Sequence, residues 1–128
     1  METIHNNYEF VLLSPPNLGE DQLKLSFEKL TSAIEKSGGS VLVEEAWGSI
    51  KMAYEIDRHR YAKYFLIDYV GPTELPLELE RLVRIDNSFL RFLTVKLSDN
   101  VEDLDSCKEQ AQSRSTSRME KINEIKHH

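Results

Sequence analysis

The sequence is poor in most of what protein chemistry requires. Its 128 residues hold a single cysteine, Cys107, so no intramolecular disulfide can form, and the four histidines lack metal-ligand spacing. A reducing, cytoplasmic setting fits that usage. Positive charge is in deficit: 16 Lys and Arg stand against 22 Asp and Glu, a formal charge of −6. That excludes a protein that holds a polyanion by net charge, so a nucleic-acid role needs a local basic patch or a basic partner. No apolar run reaches the length of about 18 residues that spans a bilayer, so no membrane association is expected. Residues 1–7 lack the basic start and apolar stretch of a signal peptide. His127 and His128, native or a tag remnant, are left out of the functional reading.

Catalytic signatures are missing too. There is no phosphate-binding loop, no dinucleotide glycine fingerprint and no Gly-x-Ser-x-Gly elbow. An arginine cradle for an acyl phosphate would follow the first strand, where the chain has Ser14-Pro15-Pro16-Asn17 instead. Cys107 sits in a polar stretch and reads as an inert thiol rather than a nucleophile. Glu44 and Glu45 are adjacent in a strand, point to opposite faces, and so are no acid–base pair. The reading is a non-enzyme with no cofactor, no metal and no small-molecule substrate.

What is present is a regular alternation of patterns. Residues 8–13 are nearly all apolar and stop at Pro15-Pro16, as a buried strand does. Leu23, Phe27, Leu30 and Ile34 recur at helical spacing, and Gly38-Gly39 ends that helix. Residues 41–56 predict one long strand with a bulge or bend at Gly48. The polar loop 57–60 joins it to a second strand over 61–70, making a hairpin. Leu75, Leu79 and Leu82 share a helix face, with Pro76 tolerated in the first turn and Glu80 and Arg84 on a wetter side. Asn87 belongs to the turn that follows. Leu93, Val95 and Leu97 alternate as a last strand. The order β-α-β-β-α-β predicts an α+β, ferredoxin-like fold: a four-stranded antiparallel sheet with two helices on one face and the other face uncovered. This domain spans residues 1–97. Residues 98–128 carry 7 acids and 5 bases with few large apolar side chains, and predict a charged, flexible tail in which Val101, Leu104, Met119, Ile122 and Ile125 support a transient helix or one formed on a partner. The body itself holds 15 acids against 11 bases, so the tail does not hide a basic domain.

RNA-recognition domains share this strand order, but their third strand needs glycines and a spacing of aromatics that Tyr61-Ala62-Lys63-Tyr64-Phe65-Leu66-Ile67-Asp68 does not supply. Tyr64 and Phe65 read as core or interface. The chain does resemble the bacterial small-subunit ribosomal protein six family over about residues 8–97. The resemblance rests on Tyr8-Glu9, on Pro16-Asn17-Leu18, on Gly38-Gly39, on Trp47-Gly48 followed by Ala53-Tyr54-Glu55-Ile56, and on the segment from Arg84 through Asn87 and Arg91 to Leu93. Ile50, Glu55 and Asp57 depart from the family pattern and lower its local positive charge.

The resemblance implies a structural component of the small ribosomal subunit. It would bind the central domain of the subunit's RNA together with small-subunit ribosomal protein eighteen, a basic partner. Lys51 and Arg91 are the first candidates for RNA backbone contact, joined by Arg58, Arg60 and Lys63 at the hairpin tip. Trp47, Met52 and Tyr54 are candidates for the protein partner, since aromatics and methionine favour interface cores. Arg114 and Arg118 offer the tail a way to touch RNA. The alternative is a ferredoxin-like module that senses a ligand or dimerises through its open sheet.

Overall fold

The computed structural model describes residues 3–126; His127 and His128 lie outside the described residues. The chain order is β1 (His5–Ser14), α1 (Glu20–Lys36), β2 (Ser40–Ile56), β3 (His59–Pro72), α2 (Leu75–Asp86), β4 (Arg91–Ser98) and α3 (Leu104–Lys126). The four strands form one antiparallel sheet in the order β2-β3-β1-β4, which is the expected ferredoxin-like arrangement.

Alternation decides the core. Tyr8, Phe10 and Leu12 of β1 and Ile67 and Tyr69 of β3 point to one face, where Leu30 and Ile34 of α1 and Leu75, Leu79 and Val83 of α2 close over them. Full burial of an aliphatic or aromatic side chain of this size contributes about 1.5–3 kcal/mol, so this layer is the main stabilising element. From β4 the core takes Phe92, which meets Phe10 edge-on, whereas Leu93 and Val95 lie on the opposite, exposed side. A buried hydroxyl, Ser26 Oγ, donates to Asp86 and ties α1 to the end of α2.

The stops are as the pattern predicts. Gly38 adopts φ 88° just past α1, and the Gly39 N–H donates to the Ile34 carbonyl at 2.9 Å. Asn87 terminates α2 in the left-handed region at φ 57°. Gly48, at φ 79°, marks a register shift in β2. The hairpin is tighter than the polar loop predicts: its turn is only Asp57-Arg58, both at positive φ, between Ile56 and its register partner His59.

Two expectations need correction. Residues 98–128 do not form a flexible tail throughout, because 104–126 are helical in α3. The sheet's second face is not left bare either: α3 lies against it, with Cys107 and Ala111 packed on Leu42, Val43 and Val70. The physical reason is ionic. Along α3 the positions Cys107, Ala111, Arg114, Arg118 and Ile122 recur at helical spacing. The two arginines reach carboxylates on the sheet, while Cys107, Ala111 and Ile122 are buried.

Candidate nucleic-acid interface

Strand pairing creates an arm. β1 pairs with β3 only from Lys63 to Pro72, so beyond Lys63 the β2–β3 hairpin runs past the sheet as a two-stranded ribbon. A small apolar cluster of Met52, Ile56 and Ala62, packed on Leu13 and Leu90, roots it on the body. Between residues 49 and 63 the arm holds four cations, Lys51, Arg58, Arg60 and Lys63, against Glu55 and Asp57. It is a positive projection from a chain of charge −6.

The predicted RNA-contact residues gather at this end of the sheet, though not as one patch. Lys51 is exposed on β2 opposite Tyr61, itself 49% exposed. Arg58 is exposed in the turn. Arg60 is exposed but paired with Glu55 at 3.1 Å, which neutralises part of the tip. Lys63 is closer to the body and donates to the Leu18 carbonyl at 3.4 Å. Arg91 is exposed at the start of β4, opposite Leu13, and Leu13 in turn pairs with Tyr64. The sheet thus aligns Arg91 with the root of the arm.

The three predicted partner-contact residues part company. Tyr54 is 69% exposed on the arm. Trp47 is half-buried, stacked on Tyr64 with ring centroids 5.7 Å apart, and donates from Nε1 to Glu45 at 2.8 Å. Met52 is buried in the cluster at the arm's root, so its thioether fills the chain's own core. Burial and the neighbouring Tyr54 push the Tyr64 phenol above its ordinary value.

Pattern reading missed the polar network under α3. Arg114 lies 3.0 Å from Asp68 and donates to Asn7 at 3.2 Å; Arg118 lies 3.1 Å from Glu9 and also pairs with Glu45. Asn7 completes it, donating to Asp68 at 2.7 Å and to the Tyr69 carbonyl at 2.9 Å. Desolvation by burial pulls the Arg118 guanidinium down, but the Glu45 hydrogen bond and the charges of Glu45, Glu9 and Asp68 outweigh it and hold the group above its ordinary value. These two arginines are engaged inside the molecule rather than offered to RNA. The legible signal was the four-residue step from Arg114 to Arg118 in phase with Cys107 and Ala111.

Among the described residues no group of three His, Cys, Asp or Glu side chains is placed to hold a metal ion, and no helix is long and apolar enough to cross a membrane. Known proteins agree with the fold. The model of the family described as ribosomal protein S6 matches residues 7–96. Small ribosomal subunit protein bS6 of Clostridium novyi is 40% identical over 89 residues, covering 70% of this chain and 94% of its own length. The bS6 of Desulfatibacillum aliphaticivorans is 38% identical over 103 residues, covering 80% of this chain, which spans 55% of that relative. The crystal structure of 30S ribosomal protein S6 from Thermotoga maritima superposes with a TM-score of 0.66 at 26% identity, covering 84% of this chain and 98% of its own.

The chain is therefore a structural ribosomal protein of ferredoxin-like fold, and not an enzyme. Within that class, it belongs to the ribosomal protein S6 family. Membership places it with the ribosome in the cytoplasm.

Proposed function

We propose that this chain is an RNA-binding component of the small ribosomal subunit. It sits on the central domain of the subunit's RNA beside small-subunit ribosomal protein eighteen. The observation that carries the reading is the segregation of charge: an acidic body presents Lys51, Arg58, Arg60 and Lys63 on one projecting ribbon, with Arg91 aligned to its root. Phosphate contacts by such residues position a protein on RNA, and the shape of the fold supplies the rest of the specificity. Tyr54 and Trp47, exposed and half-buried beside those cations, serve the protein partner, and Met52 holds the root of the arm. A basic partner supplies the phosphate neutralisation that a chain of −6 cannot.

The test is incorporation. Chains carrying Lys51→Glu together with Arg91→Glu, expressed in a cell lacking the native chain, are expected to shift from the small-subunit peak of a sucrose gradient to its top. Undiminished recovery of the double variant in the subunit peak would refute the assignment of those residues. Absence of the unaltered chain from that peak would refute the whole reading.

A further inference from the structure

The middle of the sheet's second face sets two carboxylates against each other. Glu9 of β1 and Asp68 of β3 are register partners, and Glu45 of β2 joins them beneath α3. Like charges directly across neighbouring strands repel, and burial sharpens the penalty. The side chains of Asp68 and Glu45 are 1% and 3% exposed. Such a face is stable only with cations lying on it. Here they come from α3, whose Arg114 and Arg118 are two guanidinium groups against three carboxylates.

Besides those ion pairs α3 contributes Cys107 and Ala111 to the apolar cluster on this face and buries Ile122 further along. The face also continues past it. Val95 and Leu93 of β4, register partners of Glu9 and Val11, are 41% and 60% exposed.

We propose that this face is a docking surface for an arginine-bearing segment of a basic protein partner, and that α3 occupies it in cis until the partner displaces it. The occupant follows from three features of the surface. The face already accommodates two guanidinium groups spaced by one helical turn. One carboxylate is left in excess and an apolar strip lies beside it, so a partner bringing a further cation and apolar side chains makes contacts that α3 does not. RNA is excluded, because its phosphates would meet Glu9, Glu45 and Asp68. The inference deepens the partner half of the reading above and takes the partner's basic character from it. Its test uses the purified full chain, so its failure and that of the subunit reading are separable.

Cys107 is the chain's one thiol and sits on the sheet-facing side of α3, packed on Leu42, Val43 and Val70, which makes it a native reporter of displacement. The probe is a synthetic peptide of residues 104–126 carrying C107S. In excess, it should raise the rate at which a maleimide labels Cys107 of the unaltered chain at least threefold, saturably, while the same peptide with R114Q and R118Q does not. The full chain carrying R114Q and R118Q should label at least tenfold faster than the unaltered chain and bind the arginine peptide at least tenfold more tightly. If that variant does not fold, the measurement on the unaltered chain decides alone. No acceleration by the arginine peptide overturns the proposal, as does equal acceleration by the arginine-free peptide. Equal acceleration by a single-stranded RNA oligomer overturns it too, by reducing the effect to charge screening. A dimer of the unaltered chain at the peptide-free stage would assign the face to a second copy and likewise overturn it.

Discussion

Two positions show how closely single residues are constrained. Gly39 sits where α1 hands over to β2, and a Cβ built there would lie 2.5 Å from the Val70 carbonyl oxygen and 3.1 Å from that of Ile34, both backbone atoms with no freedom to move aside. Gly39→Ala should therefore cost about 2 kcal/mol by urea unfolding, as overpacking against fixed atoms does. Gly19→Ala, with nothing within 4 Å of the added carbon, should stay within about 0.5 kcal/mol. Tyr69 carries a different constraint. Its hydroxyl is buried with no hydrogen-bond partner among the described residues, and burial, with smaller contributions from Tyr8 and Glu80, pushes its pKa far above the ordinary phenol value. The folded state then keeps the proton that the unfolded chain releases at about pH 10, so stability from this group is intact below that pH and falls as pH rises beyond it, by up to about 1.4 kcal/mol per unit. Tyr69→Phe should be neutral or slightly stabilising at pH 7, by up to about 1 kcal/mol, because it removes an unsatisfied buried hydroxyl. It should also flatten the alkaline fall in a series of denaturant midpoints from pH 9 to pH 11. A destabilised variant at pH 7 would show that the hydroxyl is bonded after all.

The elements divide into those held by apolar burial and one held by charge. Residues α1, α2 and the strands contribute to the core follow from hydrophobic period alone, which is why their order and stops were legible in the sequence. Helix α3 was not, because its sheet-facing stripe alternates small apolar residues with Arg114 and Arg118, and a period count scores those two as solvated. Their partners were hidden for the same reason. Glu45 reads as one of two strand carboxylates until the register places it near Glu9 and Asp68. The same blindness affected Met52, which looks like an interface residue from its neighbours in sequence, although it is buried in the cluster with Ile56 and Ala62. By contrast the candidate cations needed no structure to be found; what it added is that Arg60 is spent partly on Glu55 and Lys63 partly on Leu18. The dependence of α3 on charge is measurable. Arg118→Ala leaves Glu45 buried without its cation and Glu9 with Arg114 alone, 3.7 Å away, and removing one partner of such a buried group costs about 3 kcal/mol. The loss should fall on α3: amide exchange at 104–126 should accelerate by one to two orders of magnitude, about 1.4–3 kcal/mol of local opening, while β1 and β3 stay protected. Pairing Arg118→Ala with Glu45→Ala should recover part of that loss. Uniform acceleration across the sheet would mean that α3 is integral to the global fold rather than a locally detachable element.

At the scale of the molecule, the charge that seemed to argue against RNA is a matter of placement. The carboxylates Glu9, Glu45 and Asp68 sit at the sheet centre under α3, and Lys51, Arg58 and Arg91 are exposed at one end, so net charge misstates what an approaching polyanion meets. The consequence is quantitative. If Lys51, Arg58, Arg60, Lys63 and Arg91 are the whole phosphate-contacting set, each releases about 0.7–0.9 of a condensed counterion, and the logarithm of affinity should fall against the logarithm of salt with a slope of magnitude no greater than about 4.5. Fluorescence anisotropy with a labelled small-subunit RNA fragment, from 50 to 300 mM salt, reads that slope directly. Replacing Lys51 and Arg58 with glutamine should lower its magnitude by about 1.5, while weakening all RNA sequences alike, because the lost contacts are to phosphate rather than to bases. A slope well beyond about 4.5 in the unaltered chain would require cations outside that set, and if Arg114 and Arg118 leave their carboxylates to supply them, Cys107 is exposed in the same titration. Anisotropy and thiol labelling followed together therefore separate an arm that binds alone from a chain that opens to bind.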